Sequence, residues 1–144
     1  MTKKVEYIIK DGFDKMDFDK VTGLLSKVYW SMGIKKSEIL QSAKNSALLV
    51  GAFTSENIQI GYSRAISDKT RFAYILDVIV DENYRKAGIG QAMVSHILNH
   101  LDLKDVYQWV LITQDAHGVY KKVGFNSLAR PKDWMEIRHP RPDR

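Results

Sequence analysis

The segment Val78-Ile79-Val80-Asp81-Glu82-Asn83-Tyr84-Arg85-Lys86-Ala87-Gly88-Ile89-Gly90 constrains this chain more than any other. An apolar, β-branched run reads as a strand, and the polar turn after it ends that strand. A helix then opens on the glycines, with Ile89, Met93, Val94, Ile97, Leu98 and Leu101 recurring on one side. Another bulky run, residues 108–112, follows that helix. Strand, helix and strand in this order make a right-handed parallel crossover. The junction is also an anion site. The first amides of the helix have no intrahelical acceptor and point outward. Gly88 and Gly90 carry no Cβ, so a ligand can come close to the backbone. Arg85 and Lys86 add positive charge at the same place.

With 144 residues, 44% hydrophobic and 27% charged, the chain has the size and composition of one globular domain, expected over 1–144. No apolar run approaches the roughly 20 residues that span a bilayer, and the start of the chain alternates charged and apolar residues. A cytoplasmic protein without membrane contact is therefore expected. The absence of cysteine excludes disulfides and thiolate chemistry. The net charge of +5 is spread along the chain, without a basic block interleaved with aromatics, so nucleic acid is not the expected partner.

Elsewhere the pattern predicts a first strand over 5–9 and an amphipathic helix after Asp17 that carries Phe18, Val21, Leu24, Leu25 and Val28. A short helix over 37–44 has Ser37 as a candidate cap. Runs 47–53, 57–67 and 72–80 suggest an antiparallel meander. After the crossover come a short helix over 116–123, ended by Gly124, and two closing strands over 125–129 and 134–138. The fold class is α+β: a mixed, mainly antiparallel sheet of six to seven strands with one parallel step at its centre, and about four helices.

Two motifs in this order resemble the GNAT superfamily of acyl-CoA-dependent N-acetyltransferases. One is Arg85-x-x-Gly88-x-Gly90 between strand and helix; the other is Ala116-x-x-x-Tyr120-Lys121-Lys122-x-Gly124-Phe125. The resemblance implies a V-shaped splay between the motif strand and the next parallel strand. It also implies acetyl-CoA as co-substrate, with no metal. Its pyrophosphate would lie on the backbone of Lys86, Ala87, Gly88, Ile89, Gly90 and Gln91, screened by Arg85 and Lys86. Its pantetheine arm would run along the backbone of Val78, Ile79 and Val80, and one amide there would face the thioester oxygen. Tyr120 would be the general acid that protonates the departing thiolate. Lys122 and Lys121 are candidates for the adenosine 3′-phosphate, with a solvated helix face as the alternative. The loop Tyr29-Trp30-Ser31-Met32-Gly33-Ile34 would line the acceptor pocket; Tyr29 and Trp30 could enclose an amine or simply pack the helix end. Trp134, Met135 and Glu136 are candidates to close the same pocket.

The chain departs from the family pattern in three places. Thr113 stands where asparagine is common, seven residues before the tyrosine, and its hydroxyl can still meet pantetheine. Leu76 stands where some members carry a glutamate base. Asp77 is adjacent, but strand alternation sends it to the opposite face unless a bulge intervenes. Finally, Asp115-Ala116-His117-Gly118 puts a histidine and a helix breaker in the tyrosine helix, with Asp115 as its candidate cap. His117, three residues before Tyr120, can share its face and act as a base, or serve as a surface histidine. His96 and His100 stand four apart with no carboxylate between them, and no metal site is expected. The reaction implied is direct attack of a primary amine, of a small molecule, on the thioester in a ternary complex. A non-catalytic acyl-CoA-binding module and acetylation of a protein or peptide amine stay open. A homodimer is a possible assembly.

Overall fold

The alternation in Leu48–Phe53 sorts two hydrophobic cores. Leu48, Val50 and Ala52 pack with Ile89, Met93, Val94 and Ile97, whereas Leu49 and Phe53 pack with Phe18, Val21, Leu25, Ile39 and Ala43. A strand covered on both faces needs no polar alternation, which is why this run is wholly apolar. The computed structural model describes residues 4–144; residues 1–3 of the expected domain lie outside it. One sheet has five strands in chain order: β1 (Ile8–Asp11), β2 (Leu48–Phe53), β3 (Gln59–Ser67), β4 (Phe72–Val80) and β5 (Gln108–Val110). Neighbours are antiparallel except β4 and β5, which run parallel from Phe72 beside Gln108 to Tyr74 beside Val110. Helices α1 (Phe18–Leu25) and α2 (Lys36–Lys44) cover one face. Helix α3 (Ile89–Leu98) covers the other, and α4 (His117–Lys121) follows β5. Among the described residues no helix is long and apolar enough to cross a membrane.

Local chemistry sets most boundaries. Asp17 caps α1 by accepting from the Lys20 N–H at 3.2 Å, and the helix stops at Leu25, short of Val28. Ser37 does not cap α2, which starts one residue earlier behind Lys35 with no side-chain cap. Nor does Asp115 cap α4: Ala116 holds that position. The first strand is shifted toward Asp11, where it pairs with Val50.

The sheet has five strands, not six to seven, and the parallel step lies at its edge rather than its centre. Residues 125–129 and 134–138 join no ladder. β5 itself pairs over only three residues, and Pro131, Pro140 and Pro142 remove donors from the closing segment. Trp134 packs instead on Phe72, with ring centroids 6.5 Å apart, while Met135 and Ile137 are 96% and 88% exposed.

The irregularity that matters most is in β4. Tyr62 pairs with Ile79 and Arg64 with Leu76, so Ser63 faces two residues, Asp77 and Val78. Asp77 is the extra residue, at φ 55°. The bulge reverses the alternation. Ala73 and Ile75 point to the α3 face, but beyond the bulge Val78 and Val80 do so, and Ile79 turns to α1 and α2.

Candidate active site

β4 and β5 part after Tyr74 and Val110. This is the V-shaped splay, and the cleft between the strands has a volume of about 650 Å³. Its walls are β4 from Tyr74 to Val78, the segment from Leu111 to Ala116, Tyr120 of α4, and Tyr29 and Trp30 between α1 and α2. Beyond Tyr74 the β5-facing edge of β4 has no paired strand among the described residues.

The glycine segment forms the helix start that the sequence predicts. Gly88 is the N-cap of α3 at φ 77°, in the left-handed region, and Lys86 is also left-handed at φ 63°. The first bond of the helix runs from the Ala92 N–H to the Gly88 carbonyl. The amides of Ile89, Gly90 and Gln91 therefore have no acceptor within the helix. Ile89 is buried, and Ala87 packs on the α3 core, which anchors the loop from beneath. Arg85 Nε donates to the Val80 carbonyl at 3.1 Å and ties the loop to the end of β4. Lys86 and Lys122 are exposed.

Tyr120 lines the cleft, half-buried, with its ring edge-on to Phe125 at 6.2 Å. Burial pushes its phenol pKa up, and the Asp115 carboxylate adds to the rise. The group therefore holds its proton at neutral pH, as a donor must. Thr113 also lines the cleft, and its hydroxyl accepts from the Ala116 N–H at 3.0 Å. His117 is exposed and is not part of the cleft wall.

The bulge turns Asp77 into the cleft, on the face from which simple alternation would exclude it. There it accepts from Arg64 Nε at 2.7 Å and from Trp30 Nε1 at 3.3 Å. Arg64 also donates to Ser46 Oγ at 3.2 Å. Trp30 stands edge-on to Tyr29 at 5.2 Å, and both aromatics reach the cleft. Leu76 lines the cleft as an apolar neighbour.

Sequence reasoning missed the C-terminal arginines. Arg138, Arg141 and Arg144 line the cleft, whereas Trp134, Met135 and Glu136 do not. Arg141 donates to the Tyr29 carbonyl at 3.3 Å, Arg144 pairs with Glu38, and the Arg144 Cβ lies against Gly33. The signal was there as arginines spaced by three. It was unreadable because no periodicity says that a strandless tail will return to Tyr29, Gly33 and Glu38.

Away from the cleft, Asp11 joins the two histidines that the sequence leaves without a carboxylate. Its Oδ2 is 2.7 Å from His96 Nε2 and 3.3 Å from His100 Nε2. The Asp102 N–H donates to His100 Nδ1 at 3.1 Å. That bond uses the Nδ1 lone pair, so in the neutral ring the proton sits on Nε2, facing Asp11. The trio links β1 to the C-terminal end of α3 and the turn after it, and its three ligand atoms lie within 4.8 Å of one another.

The glycine-led helix start beside a bulged, splayed parallel strand pair is the arrangement expected of a GNAT acetyltransferase fold. The family model described as an acetyltransferase (GNAT) domain matches residues 45–127, and the chain belongs to that family. A protein from Xanthomonas campestris pv. campestris, solved as a GNAT-family acetyltransferase, is 28% identical, with a TM-score of 0.86 over 94% of both chains. A Clostridium acetobutylicum protein solved with acetyl-CoA has the same fold, with a TM-score of 0.69 at 18% identity over 92% of this chain and 96% of its own. Soybean (Glycine max) histone acetyltransferase TAP1 is 28% identical over 85% of this chain and 58% of its own length. The chain spans about half the length of the curated relatives it matches.

Proposed function

We propose that this chain transfers an acetyl group from acetyl-CoA to a primary amine of a small molecule, by direct attack in a ternary complex. One observation carries the reading: the protonated Tyr120 phenol and the Asp77–Val78 bulge line the same cleft. The amides at the start of α3 bind the pyrophosphate, with Arg85 and Lys86 beside them. The open edge of β4 offers backbone groups to the pantetheine arm, and an amide at the bulge polarises the thioester carbonyl. The amine attacks the carbonyl carbon, the C–S bond breaks, and Tyr120 gives its proton to the sulfur. A CoA thiol has a pKa of about 8.5, so its thiolate leaves more readily with a donor in place. The arginine-bearing tail across the cleft supports a small acceptor over a protein segment. The similarity to a soybean histone acetyltransferase is a reason to include a lysine peptide among the amines tested.

Tyr120→Phe tests the central role. Turnover measured by thiol release falls about a hundredfold, while calorimetric affinity for acetyl-CoA stays within about twofold. Unchanged turnover, with chemistry shown to be rate-limiting, would remove Tyr120 from the mechanism.

A further inference from the structure

Acyl transfer makes no use of the positive charge in the cleft. Four arginines line it, Arg64, Arg138, Arg141 and Arg144, against three acidic residues, Glu38, Asp77 and Asp115. Arg64 is paired with Asp77 and Arg144 with Glu38. Arg141 has only the neutral Tyr29 carbonyl, at 3.3 Å. Arg138 makes no hydrogen bond or ion pair among the described residues, and it lies close enough to act on the Tyr74 phenol electrostatically. Two guanidinium groups thus remain without a carboxylate of their own. Every cation on the cleft wall is arginine, although lysines are plentiful elsewhere in the chain. Arginine's planar fork matches the two oxygens of a carboxylate or phosphate, which lysine does not. A merely solubilising tail has no reason to sort its side chains, yet here the arginines line the cleft while Met135 and Ile137 lie exposed.

We propose that the acceptor is an amine that also carries an oxyanion, and that Arg138 and Arg141 bind that group at the Tyr29 end of the cleft. The inference rests on the acetyltransferase reading and deepens it. Tyr29, Trp30 and Tyr74 enclose the body of the molecule, and its amine reaches the bulge beside Tyr120. The bound anion is not the phosphate of the donor, because none of the residues from Arg85 to Gln91 lines this cleft.

Matched amines test it: L-tyrosine against tyramine for a carboxylate, and O-phosphoethanolamine against ethanolamine for a phosphate. The anionic member of at least one pair shows a kcat/KM about tenfold to a hundredfold higher. The pair that responds tells carboxylate from phosphate. In the double variant Arg138→Gln, Arg141→Gln the ratio falls toward one. Calorimetry of L-tyrosine and of inorganic phosphate, with CoA present, gives a readout free of turnover: binding to the parent chain is at least about tenfold tighter than to the double variant. Equal rates within both pairs, or equal binding by parent and variant, overturn the inference and leave acyl transfer standing. Failure to bind acetyl-CoA at all overturns the reading beneath it.

Discussion

At the scale of single residues, the turn between β3 and β4 shows how one carboxylate can hold a backbone. Asp68 Oδ1 accepts from the amides of Thr70, Arg71 and Phe72 at 2.9, 2.8 and 3.2 Å. The Arg71, Thr70 and Phe72 amides together lower its pKa from 3.8 to about 2. The folded pKa lies below the unfolded one. Its contribution to stability is therefore fully present above the unfolded value and disappears as pH falls through the folded value. An NMR titration should show the Thr70, Arg71 and Phe72 amide shifts moving with a midpoint near pH 2. Asp68→Asn should abolish that movement; a midpoint at the ordinary value of about 3.9 would show that these bonds do not hold the turn in solution. Asp77 teaches a different lesson. Its identity is plain in the sequence, but its direction depends on a left-handed φ that a non-glycine residue adopts only when its surroundings impose it. Here Arg64 and Trp30 hold the carboxylate and so define the bulge.

At the scale of elements, α3 separates two uses of glycine. Gly88 sits in the left-handed region with nothing within 4 Å of an added Cβ, so Gly88→Ala strains the backbone without a clash. It should cost about 1 kcal/mol in chemical denaturation. At Gly90 an added Cβ would lie 3.8 Å from Val78 Cγ1 and Val80 Cγ2, which is ordinary contact in a helical position. Gly90→Ala should therefore stabilise the fold slightly, by up to about 1 kcal/mol, yet weaken acetyl-CoA binding by crowding the amides. A Gly90→Ala variant that binds acetyl-CoA as tightly as the parent would show that this position is glycine for another reason. The existence and type of α1, α2, α3 and β2 to β4 were readable, because each carries a clear period or a sustained apolar run. Their caps were less so. Asp17 acts as the sequence suggests, whereas Ser37 and Asp115 have the right chemistry at positions where the backbone does not start a helix.

At the scale of the whole molecule, the two cores lie on opposite faces of the sheet, and the tail belongs to neither. Removing residues 138–144 should shift the melting temperature by no more than a few degrees, since surface segments contribute little. Acetyl-CoA affinity should persist, while KM for the acceptor rises. A large loss of stability would mean that Arg144 and Glu38 clamp the fold as well as the cleft. By itself the sequence determined the helix start at Gly88, the proposed donor end of the site. A strand, two glycines and a basic turn must produce outward amides wherever they fold, because the geometry is local. The proposed acceptor end was decided only by tertiary structure. Asp77 enters the cleft through a bulge set by pairing with β3, and the arginines reach it because a strandless tail crosses back to Tyr29 and Glu38. Such contacts join residues far apart in the chain. Their energies depend on packing between elements, and no local period encodes them.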